Sequence, residues 1–400
     1  MNENPADRIQ DYLVFGEFGG VNPSIEDSST FTFLNAERMK EVFQGRAEGC
    51  YLYSRHINPT DEYLARVMSL MEGSECAQIT ASGMSAISCV LLQICNSGDE
   101  IISSRTIYGG TYALLKNFLP KLGITTNFVD ITNLAEVMAK ISSKTKVIYF
   151  ESISNPLLEV ADIPTLSKLA KQYNIKIVVD NTFSPLMISP INLGADVVVY
   201  SLTKFVNGSS DCIAGAICGT RDFISSMRDV NSGACMLLGP VMDPPRASSI
   251  FKNMRTLHVR MVQHSKNALY LAENISKLGI KVFYPGLPIH HQHELIKSLL
   301  NPDYGFGGMM TIDVKDEELA NKLMIKMQEE LVGYFAVSLG FYKTLFSSPG
   351  TSTSSEIPKE EQERIGLSTG LVRFSVGIDH DIARTFERIK NSMKEVGILN

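Results

Sequence analysis

Between residues 61 and 220, short apolar runs alternate with longer stretches of helical periodicity, and nothing else in the chain constrains its fold as tightly. The runs are Cys76–Thr80, Glu100–Ser103, Lys146–Phe150, Ile175–Val179, Asp196–Tyr200 and Ile213–Ile217. Helices fit between them at Gly83–Cys95, Tyr112–Leu119 and Ile163–Tyr173. A strand that is apolar along its whole length, not only at alternate residues, must be covered on both faces. Helices in the connections supply that cover, so the expectation is an α/β fold around a mostly parallel sheet. A chain of 400 residues with 44% apolar side chains can bury such a core and still build a further domain.

The flanks read differently. Residues 1–60 are polar and irregular, with Gly19-Gly20, Pro23, the Ser28-Ser29-Thr30 cluster and one helix over Leu34–Phe43; they form an N-terminal arm. Residues 61–255 make the large domain and 256–400 a smaller α+β domain. A long helix is expected over Pro245–Leu278, then strands at Met309–Asp313 and Val372–Val376 among helices near 317–330 and 381–396. Ser347–Ser355, built only of Ser, Pro, Gly and Thr, reads as a mobile loop.

Charge and cysteine usage narrow the function. A net charge of -6 with scattered basic residues makes a poor nucleic-acid binder. No apolar run approaches the roughly 20 residues of a membrane span. The start, Met1-Asn-Glu-Asn-Pro-Ala-Asp7, lacks the charged and apolar regions of a secretory signal. Seven cysteines, an odd number without a C-x-x-C pair, indicate reduced thiols and a cytoplasmic protein. His290, His291 and His293, with Glu294, read as a polar loop or helix start, and no metal is expected.

In a covered parallel sheet, ligands bind beyond the carboxyl ends of the strands. Asp180 closes the run ending at Val179, and Lys204 follows the next one. Taken alone, the two could form a salt bridge. The segment Thr80-Ala-Ser-Gly-Met-Ser-Ala86 follows a strand and opens a helix, where small residues and backbone N–H groups suit an anion. It matches neither G-x-G-x-x-G nor the P-loop pattern, which argues against dinucleotides and ATP. Taken together, an anion cradle, an amine and a carboxylate on one sheet edge fit pyridoxal 5′-phosphate (PLP). The amine takes the aldehyde as a Schiff base, and the carboxylate keeps the pyridine nitrogen protonated. Ser201 and Thr203 can add hydroxyls to the phosphate.

The chain resembles the PLP-dependent transsulfuration enzymes of cysteine and methionine metabolism, most closely those of the plant-type methionine γ-lyase branch. The matching segments are Tyr53-Ser-Arg-His-Ile-Asn-Pro-Thr60, Ala81-Ser-Gly-Met-Ser-Ala86, Tyr108-Gly-Gly-Thr111, Glu151-Ser-Ile-Ser-Asn-Pro156 and Val179-Asp-Asn-Thr-Phe183. Downstream they continue with Ser201-Leu-Thr-Lys204, Tyr284-Pro-Gly286, Gly305-Phe-Gly-Gly308, Val337-Ser-Leu-Gly340 and Leu371-Val-Arg-Phe-Ser375. The resemblance implies the aspartate-aminotransferase-like architecture (fold type I) and a homotetramer built as a dimer of dimers. It implies that Lys204 holds the cofactor and moves protons at Cα and Cβ, and that Asp180 pairs with the pyridine nitrogen. Gly83, Met84, Ser201 and Thr203 would bind the phosphate, joined by Tyr53 and Arg55 from a neighbouring subunit. Tyr108 would stack on the ring and act as acid–base for the leaving thiol, and Asn155 would contact the 3-oxygen. Arg373 would clamp the substrate carboxylate, with Ser338 and Val337 beside the substrate.

The implied reaction is α,γ-elimination of L-methionine to methanethiol, 2-oxobutanoate and ammonia. Cystathionine γ-lyase, cystathionine γ-synthase and O-acylhomoserine sulfhydrylase activities are the alternatives. Apolar Val337 suits a methyl thioether where cystathionine γ-lyases often carry a glutamate. Against this, bacterial methionine lyases typically have cysteine at the position of Gly110, and relatives differ at Ser209 and Lys343 as well.

Overall fold

A computed structural model describes residues 4–44, 46–47, 49–350, 360, 362 and 366–400. Strands β1 (Cys76–Thr80), β2 (Glu100–Ser104), β3 (Thr125–Val129), β4 (Thr145–Glu151), β5 (Lys176–Asp180), β6 (Val197–Ser201) and β7 (Gly215–Gly219) form a 7-stranded sheet in the order β1-β7-β6-β5-β4-β2-β3. Neighbours pair in parallel except around β7, which is antiparallel to both β1 and β6.

The apolar runs are buried on both faces, as their composition requires. In β4, Ile148 and Phe150 join the core on one side of the sheet, while Val147 and Tyr149 join the core on the other. Successive side chains point to opposite faces, and each burial is worth roughly 2 kcal/mol, so a polar residue here would be costly. The connecting helices begin on polar caps. Ser82 accepts from the Ser85 N–H at the start of Gly83–Ile94, and Asp162 accepts from the Thr165 N–H at the start of Ile163–Gln172. β7 presses against the turn after β1: a Cβ on Gly215 would overlap the Ser82 carbonyl.

The smaller domain is built on β8 (Lys281–Phe283), β9 (Met309–Asp313), β10 (Gly333–Phe335), β11 (Thr344–Ser347) and β12 (Leu371–Ser375), in the order β10-β11-β12-β9-β8. Only the β10–β11 pair is parallel. Helices Glu317–Glu329 and Ile382–Glu395 contribute Leu323, Met324, Ile389 and Met393 to its core, with Val372 and Phe374 from β12.

Several boundaries depart from the sequence reading. The helix expected over Pro245–Leu278 is two, Pro244–Met254 and Leu257–Lys277. The guanidinium of Arg260 donates to the carbonyls of Asn253 (3.1 Å) and Val206 (2.9 Å), and the Asn253 carbonyl also accepts the Thr256 N–H (3.2 Å) in the turn between the two helices. The second helix starts in the large core through Leu257 and Met261 and ends in the small one through Leu271 and Ile275. The strand expected at Ile213–Ile217 lies two residues later, and the helix after β2 starts at Gly109 and passes into a π turn over Leu114–Phe118. The arm carries a helix at Pro5–Gln10 besides Ala36–Phe43. Of the expected mobile loop, Ser347 ends β11 and residues 351–355 lie outside the described residues. No helix among the described residues is long and apolar enough to cross a membrane.

Candidate active site

Beyond the carboxyl ends of the parallel strands lies a cleft of ≈ 940 Å³, open to solvent at its mouth, to which the smaller domain adds Ser338, Leu339 and Arg373. One wall is the start of helix Gly83–Ile94. The capping box occupies the Ser85 N–H, which leaves the first-turn N–H groups of Gly83 and Met84 to serve an anion. A Cβ on Gly83 would come within 2.7 Å of Ser201 Cβ, so only glycine lets helix and β6 close around the cradle. The Thr203 hydroxyl accepts from the Ala214 N–H (3.0 Å), which ties the lysine-bearing loop to the entry of β7.

Lys204 leaves β6 with its Nζ donating to Ser338 Oγ (3.0 Å). Burial, reinforced by the charge of Arg373, pushes its amine down to about 8. The backbones meet as well: a Cβ on Gly340 (φ +80) would run into the backbone of Lys204 and Phe205. At the end of β5, Asp180 accepts from the Thr182 N–H (3.0 Å) and from Tyr149 Oη (3.4 Å). Desolvation raises its carboxyl above the ordinary range, so a cationic ring nitrogen beside it would give this half-buried acid a partner.

Arg373, on β12 and 3% exposed, donates to Asn155 Oδ1 (3.0 Å), the Ser338 carbonyl (3.3 Å) and Ser347 Oγ (3.3 Å). Its Nε is buried and has no partner among the described residues. A guanidinium held from the side, with a donor still to satisfy, is suited to a bound carboxylate. Tyr108 stands at the cleft mouth, 42% exposed, and a Cβ on Gly110 would lie 2.6 Å from its Cε1.

Gly83, Met84, Tyr108, Asn155, Asp180, Ser201, Thr203, Lys204, Ser338 and Arg373 thus line a single cleft. Three residues singled out in the sequence do not. Arg55 lies over the ring of Tyr53 (5.3 Å) and lines a separate, smaller cavity with Cys235 and Pro240. Val337 is 57% exposed and lines a neighbouring groove that shares Thr203, Ile213 and Ser338 with the cleft. The sequence reading gives no role to Glu151, Thr182, Ile153 or Phe183, which also line the cleft. Glu151 closes β4 in register with Asp180, and the strand-end rule that finds Asp180 finds it too. The apolar lining carries no such signal. At the histidine cluster, the rings of His290 and His291 stack at 4.8 Å and His293 Nδ1 bonds the Pro285 carbonyl (2.8 Å). No group of side chains suited to a metal ion occurs among the described residues.

The family model for Cys/Met metabolism PLP-dependent enzymes matches residues 12–389. The chain is 50% identical to methionine gamma-lyase of Arabidopsis thaliana over 369 residues, 91% of this chain and 84% of that protein. It is 37% identical to L-methionine gamma-lyase of Fusobacterium nucleatum, covering 91% of each, and 36% identical to cystathionine beta-lyase of Lactococcus lactis, covering 90% and 91%. Among solved structures, an assigned O-acetylhomoserine (thiol)-lyase of Campylobacter jejuni superimposes with a TM-score of 0.91 at 27% identity, over 98% of this chain and 100% of that one. That protein carries a pyridoxyl-lysine phosphate. Cystathionine gamma-lyase of Lactobacillus plantarum follows with a TM-score of 0.87 at 28% identity, again over 98% and 100%.

Proposed function

Because the chain belongs to the Cys/Met metabolism PLP-dependent enzymes, we propose that it is a carbon–sulfur lyase that converts L-methionine and water to methanethiol, 2-oxobutanoate and ammonia. The observation that carries this reading is the half-buried Lys204, whose amine faces the same cleft as Asp180, Arg373 and Tyr108. The substrate assignment rests on the identity to the Arabidopsis lyase and is supported by apolar Val337, which lines the groove adjoining the cleft.

When bound, PLP supplies an electron sink for charge developing on the substrate carbons. The protein's own groups do the rest. The cradle of Gly83, Met84, Ser201 and Thr203 would hold the phosphate, Asp180 the ring nitrogen and Asn155 the 3-oxygen. Arg373 fixes the substrate carboxylate, which orients the Cα–H bond toward Lys204. With its amine already pushed down to about 8, Lys204 is poised to take that proton and to shift one at Cβ. Tyr108 delivers a proton to the sulfur as the Cγ–S bond breaks. Ser338 steers Lys204 through the 3.0 Å hydrogen bond.

Tyr53 and Arg55 serve the cleft of a second subunit in this reading, which makes 1–60 an exchanged arm, 61–255 the cofactor domain and 256–400 the smaller domain. The exposed Leu13, Phe15, Phe18 and Leu34 of the arm support burial against another copy, in a homotetramer built as a dimer of dimers. All seven cysteines are free, in keeping with the cytoplasm.

Parallel assays of the PLP-loaded protein with methionine, cystathionine, homocysteine, and O-acetylhomoserine plus sulfide test the reading. Methionine should give methanethiol and 2-oxobutanoate in equal amounts, and Lys204→Ala should give neither. Cystathionine turned over while methionine yields no 2-oxobutanoate would overturn the assignment.

A further inference from the structure

Glu151 is a buried carboxyl that the mechanism above leaves idle. It ends β4, lines the cleft and is 8% exposed. Each of its oxygens is engaged by a different loop. Oε1 accepts the Tyr108 N–H at 2.7 Å, and Oε2 accepts the Asn155 N–H at 2.9 Å. Tyr108 lies in the loop after β2, and Asn155 in the loop after β4 itself; β2 and β4 are neighbours in the sheet. A buried acid beside Asp180, its register partner, is costly to keep. Burial and the charge of Asp180 both work against its ionised form, and the two N–H donors work for it. A lone core acid with no further task would be better replaced by an apolar residue of similar volume.

We propose that Glu151 is a positioning residue: its two carboxyl oxygens staple the backbones of Tyr108 and Asn155 to the end of β4, and so fix the ring-stacking phenol and the ring-oxygen amide relative to each other. The Asn155 N–H has no other acceptor among the described residues. The Asn155 side chain in turn accepts from Arg373, so the staple reaches the carboxylate-binding guanidinium through one further hydrogen bond of 3.0 Å. Glutamate suits the task because it presents two acceptors from one side chain. Glutamine offers one oxygen, and whichever way its amide turns, an NH2 group faces one of the two N–H donors. Aspartate keeps both oxygens but withdraws them by one methylene.

This inference rests on the cofactor assignments made under the proposed function, and its primary readouts need no substrate. Glu151→Gln and Glu151→Asp, loaded with PLP, are compared with wild type by the circular dichroism of the visible cofactor band, which reports the tilt of the ring, and by the PLP dissociation constant. Both variants should alter the visible dichroism and bind PLP several-fold more weakly while the far-ultraviolet spectrum stays that of the folded protein. Should Glu151→Gln not fold, the same two readouts on Glu151→Asp decide the matter. With methionine, kcat should fall by about 10²-fold, the cost of roughly 1 Å of misplacement. In a Tyr108→Phe background the same substitution should cost far less, because the two act as a unit. Folded variants with unchanged visible dichroism and PLP affinity within twofold of wild type would overturn the proposal. Altered dichroism and affinity together with a wild-type enzyme inert toward methionine would uphold the staple and sink only the substrate assignment.

Discussion

Replacing Gly110 by alanine places a methyl carbon 2.6 Å from Cε1, 3.1 Å from Cζ and 3.3 Å from Oη of Tyr108. Carbon atoms in contact settle near 3.5 Å, so Cε1 must withdraw by about 0.9 Å. The ring gives way, not the backbone, because Tyr108 is 42% exposed while Gly110 sits in the first turn of helix Gly109–Ala113. Folding should not suffer: in a helix, alanine is better than glycine by up to about 1 kcal/mol. Catalysis should, since under the proposed role of Tyr108 the phenol would then meet the leaving sulfur from a position shifted by nearly 1 Å. A shift of that size costs on the order of 10²-fold in rate, or about 2.7 kcal/mol. The assay is methanethiol release under saturating methionine, alongside a thermal melt. Slower turnover by about 10- to 10²-fold with an equal or higher melting temperature is expected. Turnover within threefold of wild type would refute the argument that residue 110 sets the place of the ring. Gly110→Cys carries the same Cβ and should displace the ring of this chain in the same way, with a similar loss of turnover in the same assay.

Arg373→Lys keeps the charge but loses the planar fork, and should lower kcat/KM for methionine by about 10²-fold, read by steady-state kinetics. Gly83→Ala puts a methyl carbon 2.7 Å from Ser201 Cβ and should weaken PLP binding at least severalfold in a spectrophotometric titration. An amine must be neutral to attack an aldehyde, so PLP uptake by the apoprotein should accelerate with pH and level off above about 8, not near the ordinary 10.5 of lysine. The unfolded chain keeps that proton up to 10.5 whereas the folded apoprotein releases it at about 8, so between these values the unfolded state binds more protons. Stability attributable to Lys204, the difference between wild-type and Lys204→Met apoproteins in urea unfolding, therefore rises with pH across this window. A difference that falls with pH there would contradict the burial of the amine.

The large sheet is legible in the sequence because its strands are apolar on both faces, a pattern that only a covered sheet can satisfy. The same logic locates Asp180 and Lys204 at strand ends, since side chains just past a buried strand are the first that can reach a ligand. The register of β7 is not legible: its Gly215–Gly219 segment is packed by contact with the Ser82 turn, a long-range constraint that leaves no local pattern. The break at Arg255-Thr256 escapes for a similar reason, because the group beside it is an arginine, Arg260, that bonds the Asn253 carbonyl of the first helix and the Val206 carbonyl of the β6–β7 connection at once. Val337, whose place in the sequence suggests a wall of the substrate pocket, lies within one chain on the groove that adjoins the cleft and shares Ser338 with it. Glu151 meets the strand-end rule as Asp180 does, yet nothing local separates an acid that faces a ligand from one that holds two loops.

The loop that carries Ser338 and Gly340 belongs to the smaller domain, yet it grips Lys204 by side chain and by backbone. The lysine is therefore a mechanical joint between the two lobes as well as a chemical group. In the apoprotein its amine ties the Ser338 loop to the large domain through the 3.0 Å bond, beside the backbone contact at Gly340. Committing that amine to another partner removes one of the two ties and leaves the other. Amide exchange at residues 338–340 should therefore rise when Lys204 is occupied, and unchanged exchange there would show that the backbone contact alone holds the loop.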